Sequence, residues 1–285
     1  MVFITGVIMP GTSRYDNFQG KLAGSETVVE QLQSVGEDDD VDAVILRVDS
    51  PGGSALASDL IWNEIATVQE SKPVISSMSG LAASGGYYVS CLGDSIFADP
   101  GTLTGSIGVY AGKLNRSEMY RKIGVNREFI TRGRNALLFS DEGGFTPDQR
   151  ELFQKQMDDF YERFLEKVAA GRGMSRDAVH EVAQGRVWTG RQGLEVGLVD
   201  GLGGLHRSLD SAKWMLGLDT SDKVPIVTFG EELSLLERIL LKSFREGGGL
   251  SRVAGPGSPL DGAGPLAGNL PVPMLVDALR EDGTL

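Results

Sequence analysis

The sequence has one cysteine and no long apolar run, and each shortage argues against a class of protein. With one cysteine in 285 residues, Cys91, the chain cannot form an internal disulfide or a cysteine-rich metal site. No run of 18 or more apolar residues occurs, and the first residues lack a charged leader followed by an apolar core. We therefore expect no membrane-spanning segment and no export signal in the chain as given. Localisation is otherwise unknown at this stage.

Positive charge is also in short supply, with 27 Lys and Arg residues against 39 Asp and Glu, a formal net charge of −12. Nucleic acid is not an expected partner, because the chain has no basic surplus to displace counterions from phosphates. Anionic membrane surfaces are disfavoured for the same reason, so membrane association is expected only through a partner. No metal ion or organic cofactor is expected.

What the sequence does contain is an alternation of short apolar runs and stretches with helical periodicity. This alternation predicts an α/β fold with βαβ units and a mostly parallel sheet, followed by a helical carboxyl-terminal part. The predicted strands are 2–9, 43–48, 73–78, 94–98 and 127–131. The main predicted helices are 27–35, 55–68, 118–123, 147–170, 175–183 and 205–216, and the polar stretches 12–21 and 132–145 are predicted loops.

The composition changes along the chain in a way that suggests three parts. Residues 1–216 are expected to form one α/β domain, and residues 217–245 an extension with a strand and a helix. Residues 246–285 are rich in Gly and Pro and are expected to be a disordered tail.

A serine stands at the predicted junction of the third main strand and the helix that follows it. Ser84 lies between small residues, in Ala83-Ser84-Gly85-Gly86. This is the layout of a nucleophile elbow, in which small neighbours allow a sharp turn and leave the serine Oγ exposed. An ordinary Gly/Ser-rich turn explains the same stretch equally well.

A second glycine-rich turn, Ser50-Pro51-Gly52-Gly53, follows the preceding predicted strand. In a parallel sheet both turns lie at the carboxyl edge, where such sheets place their sites. An oxyanion hole needs two N–H donors about 3 Å from the developing charge, and the candidates are Gly52 or Gly53 together with Gly85. A tight strand-to-helix turn is the alternative interpretation.

A nucleophilic serine also needs a base. The two histidines, His180 and His206, lie in predicted helices rather than at strand ends. The alternative is a lysine whose pKa is lowered by burial. The chain has nine lysines, at positions 21, 72, 113, 122, 155, 167, 213, 223 and 242.

Four stretches, in this order and spacing, resemble the signal peptide peptidase A (protease IV) family. They are D-S-P-G-G-S-A at 49–55, S-G-L-A-A-S-G-G-Y-Y-V-S at 79–90, P-G-T-L-T-G-S-I-G-V at 100–109, and the motif G-R-V-W-T-G-R-Q-G-L-E-V-G-L-V-D-G-L-G at 185–203. The resemblance covers about residues 2–216. It implies a ClpP/crotonase-like fold and an oligomeric serine endopeptidase with a Ser-Lys dyad.

Carried over position by position, the resemblance places the nucleophile at Ser84. It places the oxyanion donors at Gly52 or Gly53 with Gly85, and a serine that hydrogen-bonds the lysine amine at Ser106. It also suggests a location at the membrane periphery or in the periplasm.

The chain departs from the family pattern at the lysine. Short members carry it in the loop that corresponds to residues 132–145, and this loop contains no lysine. Arg132 and Arg134 cannot replace it, because a guanidinium stays protonated. In long, duplicated members the carboxyl-terminal half supplies the serine and the amino-terminal half the lysine, and this chain resembles such a carboxyl-terminal half.

Three explanations of the missing lysine remain open from the sequence. Another half or chain supplies it; or Lys113 or Lys122, from this or a neighbouring protomer, takes its place; or the protein is catalytically silent. We expect a serine endopeptidase that cleaves apolar peptides, such as signal-peptide remnants, and assembles as a homo-oligomer or with a lysine-bearing half. The alternatives are a silent peptide-binding or scaffold subunit and a crotonase-like acyl-CoA enzyme.

Overall fold

The fold of residues 1–229 is described by a computed structural model. The extension predicted for 217–245 is therefore described only up to residue 229, where Phe229 forms a bridge with Val2. The tail predicted for 246–285 lies outside the described residues.

The described residues contain ten strands and eight helices. The strands are β1 (Val2–Thr5), β2 (Val7–Met9), β3 (Arg14–Asp16), β4 (Gly20–Gly24), β5 (Val44–Ser50), β6 (Val74–Ala83), β7 (Ser95–Ala98), β8 (Leu103–Gly105), β9 (Val187–Thr189) and β10 (Gly201–Leu202). The helices are α1 (Ser25–Glu37), α2 (Ala55–Gln69), α3 (Gly85–Ser90), α4 (Ser117–Lys122), α5 (Pro147–Arg172), α6 (Arg176–Val182), α7 (Gly190–Glu195) and α8 (Leu205–Met215).

Seven strands form one sheet, in which β1, β5, β6, β7 and β10 lie side by side in that order. All four of these pairings are parallel, and β6 also pairs in parallel with β8 further along its length. Only β9 is antiparallel, to β8. The predicted mostly parallel α/β sheet is therefore confirmed.

The two faces of the central strand β5 explain the layering. Val44, Leu46 and Val48 point into the main core, where helices α1, α2, α3 and α5 also contribute side chains. Ile45, one residue out of phase, packs in a smaller cluster with Ala212 of α8. The period of two along the strand thus places helices on both faces.

Strand β6 is longer than its apolar run predicts, because it continues through small residues to Ala83. Its register with β5 shifts between Val48 and Ser50, and on its other edge β6 pairs first with β7 and then with β8. Arg47 spans this irregularity, donating to Ser77 Oγ and to the Met78 carbonyl oxygen at 3.0 Å each.

Two of the predicted elements were wrong. The polar stretch 12–21, predicted as a loop, contains β3 and the start of β4, which form a three-stranded sheet with β2. No residue of β3 is buried, and β4 has a glycine at each end, so neither strand shows the apolar alternation by which a half-buried strand is recognised. The predicted strand 127–131 is irregular and exposed, since no neighbouring strand pairs with it.

The helical predictions were better, because the caps are local. Ser54 accepts a hydrogen bond from the Ala57 N–H at the start of α2. Thr146 and Thr189 form capping boxes at α5 and α7, and Pro147 is the first residue of α5.

Candidate active site

Ser84 occupies the strained junction between β6 and α3. Its backbone φ and ψ are 53° and −121°, and only two other non-glycine residues of the described chain, Ser106 and Gln184, have a positive φ. Such conformations cost about 1–3 kcal/mol each and tend to be found at functional sites. Both serines singled out by the sequence are therefore backbone outliers.

Ser84 and Ser106 are neighbours through the register of two parallel strands. Ala83 of β6 is paired with Gly105 of β8, so each serine is the first residue beyond the paired ends. The Ser84 N–H donates to the Gly105 carbonyl oxygen at 2.9 Å. The fold thus brings the predicted nucleophile and its predicted helper serine to the same carboxyl edge of the sheet.

The glycine turn after β5 lies against Ser84 and Gly85. A Cβ atom on Gly52 would lie 2.4 Å from the Gly85 nitrogen and 2.8 Å from the Ser84 Cβ. A Cβ on Gly85 would lie 3.1 Å from the Gly53 nitrogen. The two turns therefore touch through their backbones, an approach that a larger residue at Gly52 would prevent.

The hydrogen bonds separate the two alternative donors in this turn. The Gly52 N–H donates to Ser50 Oγ at 3.1 Å, and is therefore already used. Within residues 1–229 the Gly53 N–H has no hydrogen-bond acceptor, and neither does the N–H of Gly85, the first residue of α3. Gly53 and Gly85 are the pair whose N–H groups remain for a ligand.

Ser50 is a residue that sequence reasoning missed. Its side chain is fully buried, donates to the Gly6 carbonyl oxygen at 2.6 Å and accepts from the Gly52 N–H. One hydroxyl therefore links the β1–β2 junction to the glycine turn. The only available signal was its place as the first residue of the Ser-Pro-Gly-Gly motif.

Strand β2 supports the same turn from the other side. The Ile8 N–H donates to the Gly52 carbonyl oxygen at 2.9 Å, and the Ser54 N–H donates to the Ile8 carbonyl oxygen at 2.8 Å. A Cβ on Gly53 would lie only 2.0 Å from that Ile8 oxygen. The position of Gly53 is thereby fixed, because the residues before and after it both hydrogen-bond to the backbone of Ile8.

No base contacts the Ser84 hydroxyl within residues 1–229. His180 Nδ1 lies 2.9 Å from the Tyr161 hydroxyl, and His206 is exposed on α8. Neither imidazole joins the serine, so a Ser-His arrangement has no support here.

The described lysines are engaged elsewhere or exposed. Lys72 donates to the Val35 and Asp38 carbonyl oxygens, and Lys167 lies over the Trp62 ring, 3.4 Å from its centroid. Lys113 lies over the Phe145 ring at 4.8 Å. The remaining described lysines are Lys21, Lys122, Lys155, Lys213 and Lys223, all exposed except Lys213, which donates to the Thr220 carbonyl oxygen. Lys242 lies outside the described residues.

A cavity of about 420 Å³ lies at the opposite edge of the sheet, and its lining includes Asp94, Arg172 and Asp200. Asp94 accepts a hydrogen bond from the Val74 N–H at the start of β6, whereas Ser84 follows the end of that strand. This polar cavity, in which Arg172 pairs with Asp200, is therefore separate from the candidate site.

Comparison with known proteins identifies the family. The family model described as peptidase family S49 matches residues 66–219, which include Ser84 and Ser106. The chain belongs to peptidase family S49. A Clp protease model also matches residues 19–98, and together with the parallel sheet this confirms the predicted ClpP/crotonase-like fold.

The relatives of similar sequence differ in how much of their length this chain covers. Serine protease SPPA of Arabidopsis thaliana chloroplasts is 45% identical over 222 residues, and Protease 4 of Haemophilus influenzae 37% over 220. These matches include 78% and 76% of this chain, but only 33% and 34% of the relatives. The chain thus spans about a third of their length.

Another relative is matched over most of its length. A protein of Synechocystis that is named a putative protease is 34% identical over 236 residues, which is 83% of this chain and 80% of that one. Among solved structures, a mutant of ClpP1 from Listeria monocytogenes superimposes with a TM-score of 0.47 at 16% identity, covering 73% of this chain and 92% of that one.

Proposed function

We propose that this chain is the serine-bearing part of an S49 peptidase that hydrolyses peptide bonds through a Ser-Lys dyad. The observation that carries the proposal is the meeting of Ser84 with two N–H groups, of Gly53 and Gly85, that have no other acceptor in the described chain. The names of the relatives, which include a serine protease and Protease 4, support the same reaction class.

In this proposal the Ser84 Oγ attacks the carbonyl carbon of the scissile peptide. Its proton passes to a neutral lysine amine, and the Gly53 and Gly85 N–H groups stabilise the oxyanion. The proton then goes to the leaving amine as the acyl-enzyme forms, and water hydrolyses that ester. Removal of one oxyanion donor typically costs about 10²–10³ in rate, so the glycine turn is expected to contribute substantially to the reaction.

Ser106 is proposed to orient the lysine amine. A lysine is an efficient base only when it is uncharged, and a hydroxyl that accepts from the amine directs the amine's lone pair towards Ser84. Ser106 lies one strand away from Ser84 at the same level of the sheet, which suits this role.

The lysine is proposed to come from another half or another chain. One surface of this chain is suited to bind the partner that carries the lysine. Residues 109–136, here called the basic segment, contain seven Lys and Arg against two Glu, a net charge of +5, so the rest of the chain carries −17. None of these residues is buried, and Tyr110 and Ile130 are 97% and 102% exposed. An acidic partner or second copy would cover the segment and complete the site.

The proposed substrates are extended apolar peptides, such as signal-peptide remnants. Backbone recognition is suited to this class, because the Gly53 and Gly85 amides contact any peptide regardless of its side chains. A preference for apolar side chains is proposed in addition. In residues 1–229 no helix has the length and apolarity needed to cross a bilayer.

A catalytically silent peptide-binding subunit is the second candidate. The observation that favours it is that no described lysine contacts Ser84. The same turns would then bind a peptide without hydrolysing it.

A fluorophosphonate probe separates the two candidates, because it reacts only with an activated serine. The chain is treated alone and together with a lysine-bearing half of an S49 relative, beside the Ser84→Ala variant. Labelling of Ser84 in the mixture alone supports a shared dyad, and labelling of the isolated chain indicates a base supplied by the chain itself or its copies. No labelling under either condition, with the fold intact by circular dichroism, supports the silent subunit.

A further inference from the structure

The third backbone outlier of the described chain, Gln184, lies far from the candidate serines in sequence. Its φ is 60°, and it belongs to the turn between α6 and β9. Unlike Gly, a glutamine has no intrinsic preference for this conformation, so surrounding contacts must hold it there. Those contacts lead directly to Ser106.

The turn that contains Gln184 holds the backbone around Ser106 by a reciprocal pair of hydrogen bonds. The Ser106 N–H donates to the Arg186 carbonyl oxygen at 2.7 Å, and the Gly185 N–H donates to the Ile107 carbonyl oxygen at 2.9 Å. These bonds continue the antiparallel pairing of β8 with β9. Ser106, whose φ is 50°, is thus kept in its strained conformation by the residues next to Gln184.

The Gln184 turn is itself held by a tyrosine of α5. The Tyr161 hydroxyl accepts from the Gln184 N–H at 3.3 Å and lies 2.9 Å from His180 Nδ1. The Gln184 side chain adds a bond from its Nε2 to the His180 carbonyl oxygen at 3.2 Å. With the imidazole proton on Nε2, the single phenolic proton goes to His180 and the oxygen lone pair remains for Gln184.

We propose that Tyr161 is a positioning residue for Ser106. Its hydroxyl holds the Gln184 turn, and the turn holds the Ser106 backbone so that the serine hydroxyl is directed to the space beside Ser84. Tyr161 acts only through this backbone and touches no reacting atom. The inference rests on the proposed function for the role of Ser106, but the mechanical link can be measured without catalysis.

The test is the Tyr161→Phe variant of the full chain, which keeps the ring in the core and removes only the hydroxyl. Tyr15→Phe is the matched control, because within the described chain the Tyr15 hydroxyl makes no hydrogen bond. Amide hydrogen exchange is followed by mass spectrometry in peptides covering 104–108 and 183–187. We expect exchange about 3- to 10-fold faster in both peptides of Tyr161→Phe, with α1 and α2 unchanged.

The second readout is the kinetics of fluorophosphonate labelling of Ser84, with the lysine-bearing half present if labelling requires it. We expect the maximal inactivation rate to fall about tenfold while the concentration for half-maximal rate stays constant, as loss of positioning predicts. If Tyr161 were only structural, its loss would lower the melting temperature. It would not lower the maximal inactivation rate while leaving the concentration for half-maximal rate unchanged.

Three results would overturn the proposal. Unchanged exchange in both peptides would show that Gln184 is held without Tyr161. Faster exchange throughout the chain would show a general loss of stability. Local loosening with unchanged labelling kinetics would show that Ser106 does not depend on the turn. If wild type is never labelled, the proposed function has failed, and hydrogen exchange alone decides whether Tyr161 holds Ser106.

Discussion

The glycine and serine turns of the candidate site and the basic segment differ in almost every physical respect. Ser50, Gly52 and Gly85 are buried, and their backbones touch so closely that a single added Cβ would clash. Residues 109–136 contain no buried residue, and the glycines at 112, 124 and 133 have open space around them. The glycine and serine turns are therefore held by contacts within the chain. The basic segment is open to solvent, as expected if a partner covers it.

Among changes in these two regions, a Cβ at Gly53 should have the largest effect. We expect Gly53→Ala to lower the free energy of unfolding by about 3 kcal/mol or more, because the methyl group would lie 2.0 Å from the Ile8 carbonyl oxygen. Gly112→Ala in the basic segment should change it by less than about 0.5 kcal/mol. Urea unfolding measures both, and similar losses would mean that the two regions are equally packed.

Removal of the Ser50 hydroxyl should have the next largest effect. Ser50→Ala leaves the Gly6 carbonyl and the Gly52 N–H without their partner in a buried position, at a cost of about 1–3 kcal/mol. The freed Gly52 N–H also loosens the turn, so fluorophosphonate labelling of Ser84 should slow. Ser34→Ala is the control, since its hydroxyl donates to Glu30 on an exposed helix face. A stable Ser50→Ala protein with normal labelling would contradict our account of the turn.

Cys91, which follows α3, tests whether the interior next to the candidate nucleophile is closed to solvent. Burial raises the pKa of its thiol from about 9.0 to about 12. The unfolded thiol loses its proton near pH 9 while the folded one keeps it. Stability from this group is thus intact below pH 9 and is lost as pH rises towards 12. We expect Cys91→Ala to weaken this alkaline destabilisation in unfolding measured between pH 8 and 11.

The same residue offers a comparison of access. Native Cys91 should not react with iodoacetamide at pH 8, whereas a cysteine introduced by Asn126→Cys in the basic segment should react within minutes. Rapid modification of Cys91 would mean that the reagent reaches the interior behind α3 as readily as it reaches the basic segment.

The smallest effect on stability is expected from the basic segment itself. Ile130→Ser should leave the free energy of unfolding within about 0.5 kcal/mol of wild type, because the side chain is fully exposed. If the segment binds a partner, the same change should weaken association. Light scattering of the mixture with a lysine-bearing half measures the mass of the complex and therefore checks this. Ile96→Ser, in the core, should instead unfold the chain.

Particular residues show how far local patterns reach. Small residues at fixed offsets singled out Ser84, Gly85 and the glycine pair because a strained turn has few solutions, and the structure brings these residues together. The caps at Ser54 and Thr146 were equally local. The strands at 14–16 and 20–24 were missed because β3 has no buried residue and β4 has a glycine at each end, so neither shows the alternation that predicts a strand.

The sequence by itself determined the family, the α/β class and the identity of the candidate nucleophile, since motifs and periodicity are properties of neighbouring residues. Only the tertiary structure decided which glycine N–H is available, because Ser50 occupies that of Gly52 through a hydrogen bond. Only it linked Tyr161 to Ser106, across 55 residues of chain. Hydrogen bonds between distant segments depend on how the strands are registered, and no local pattern encodes that register.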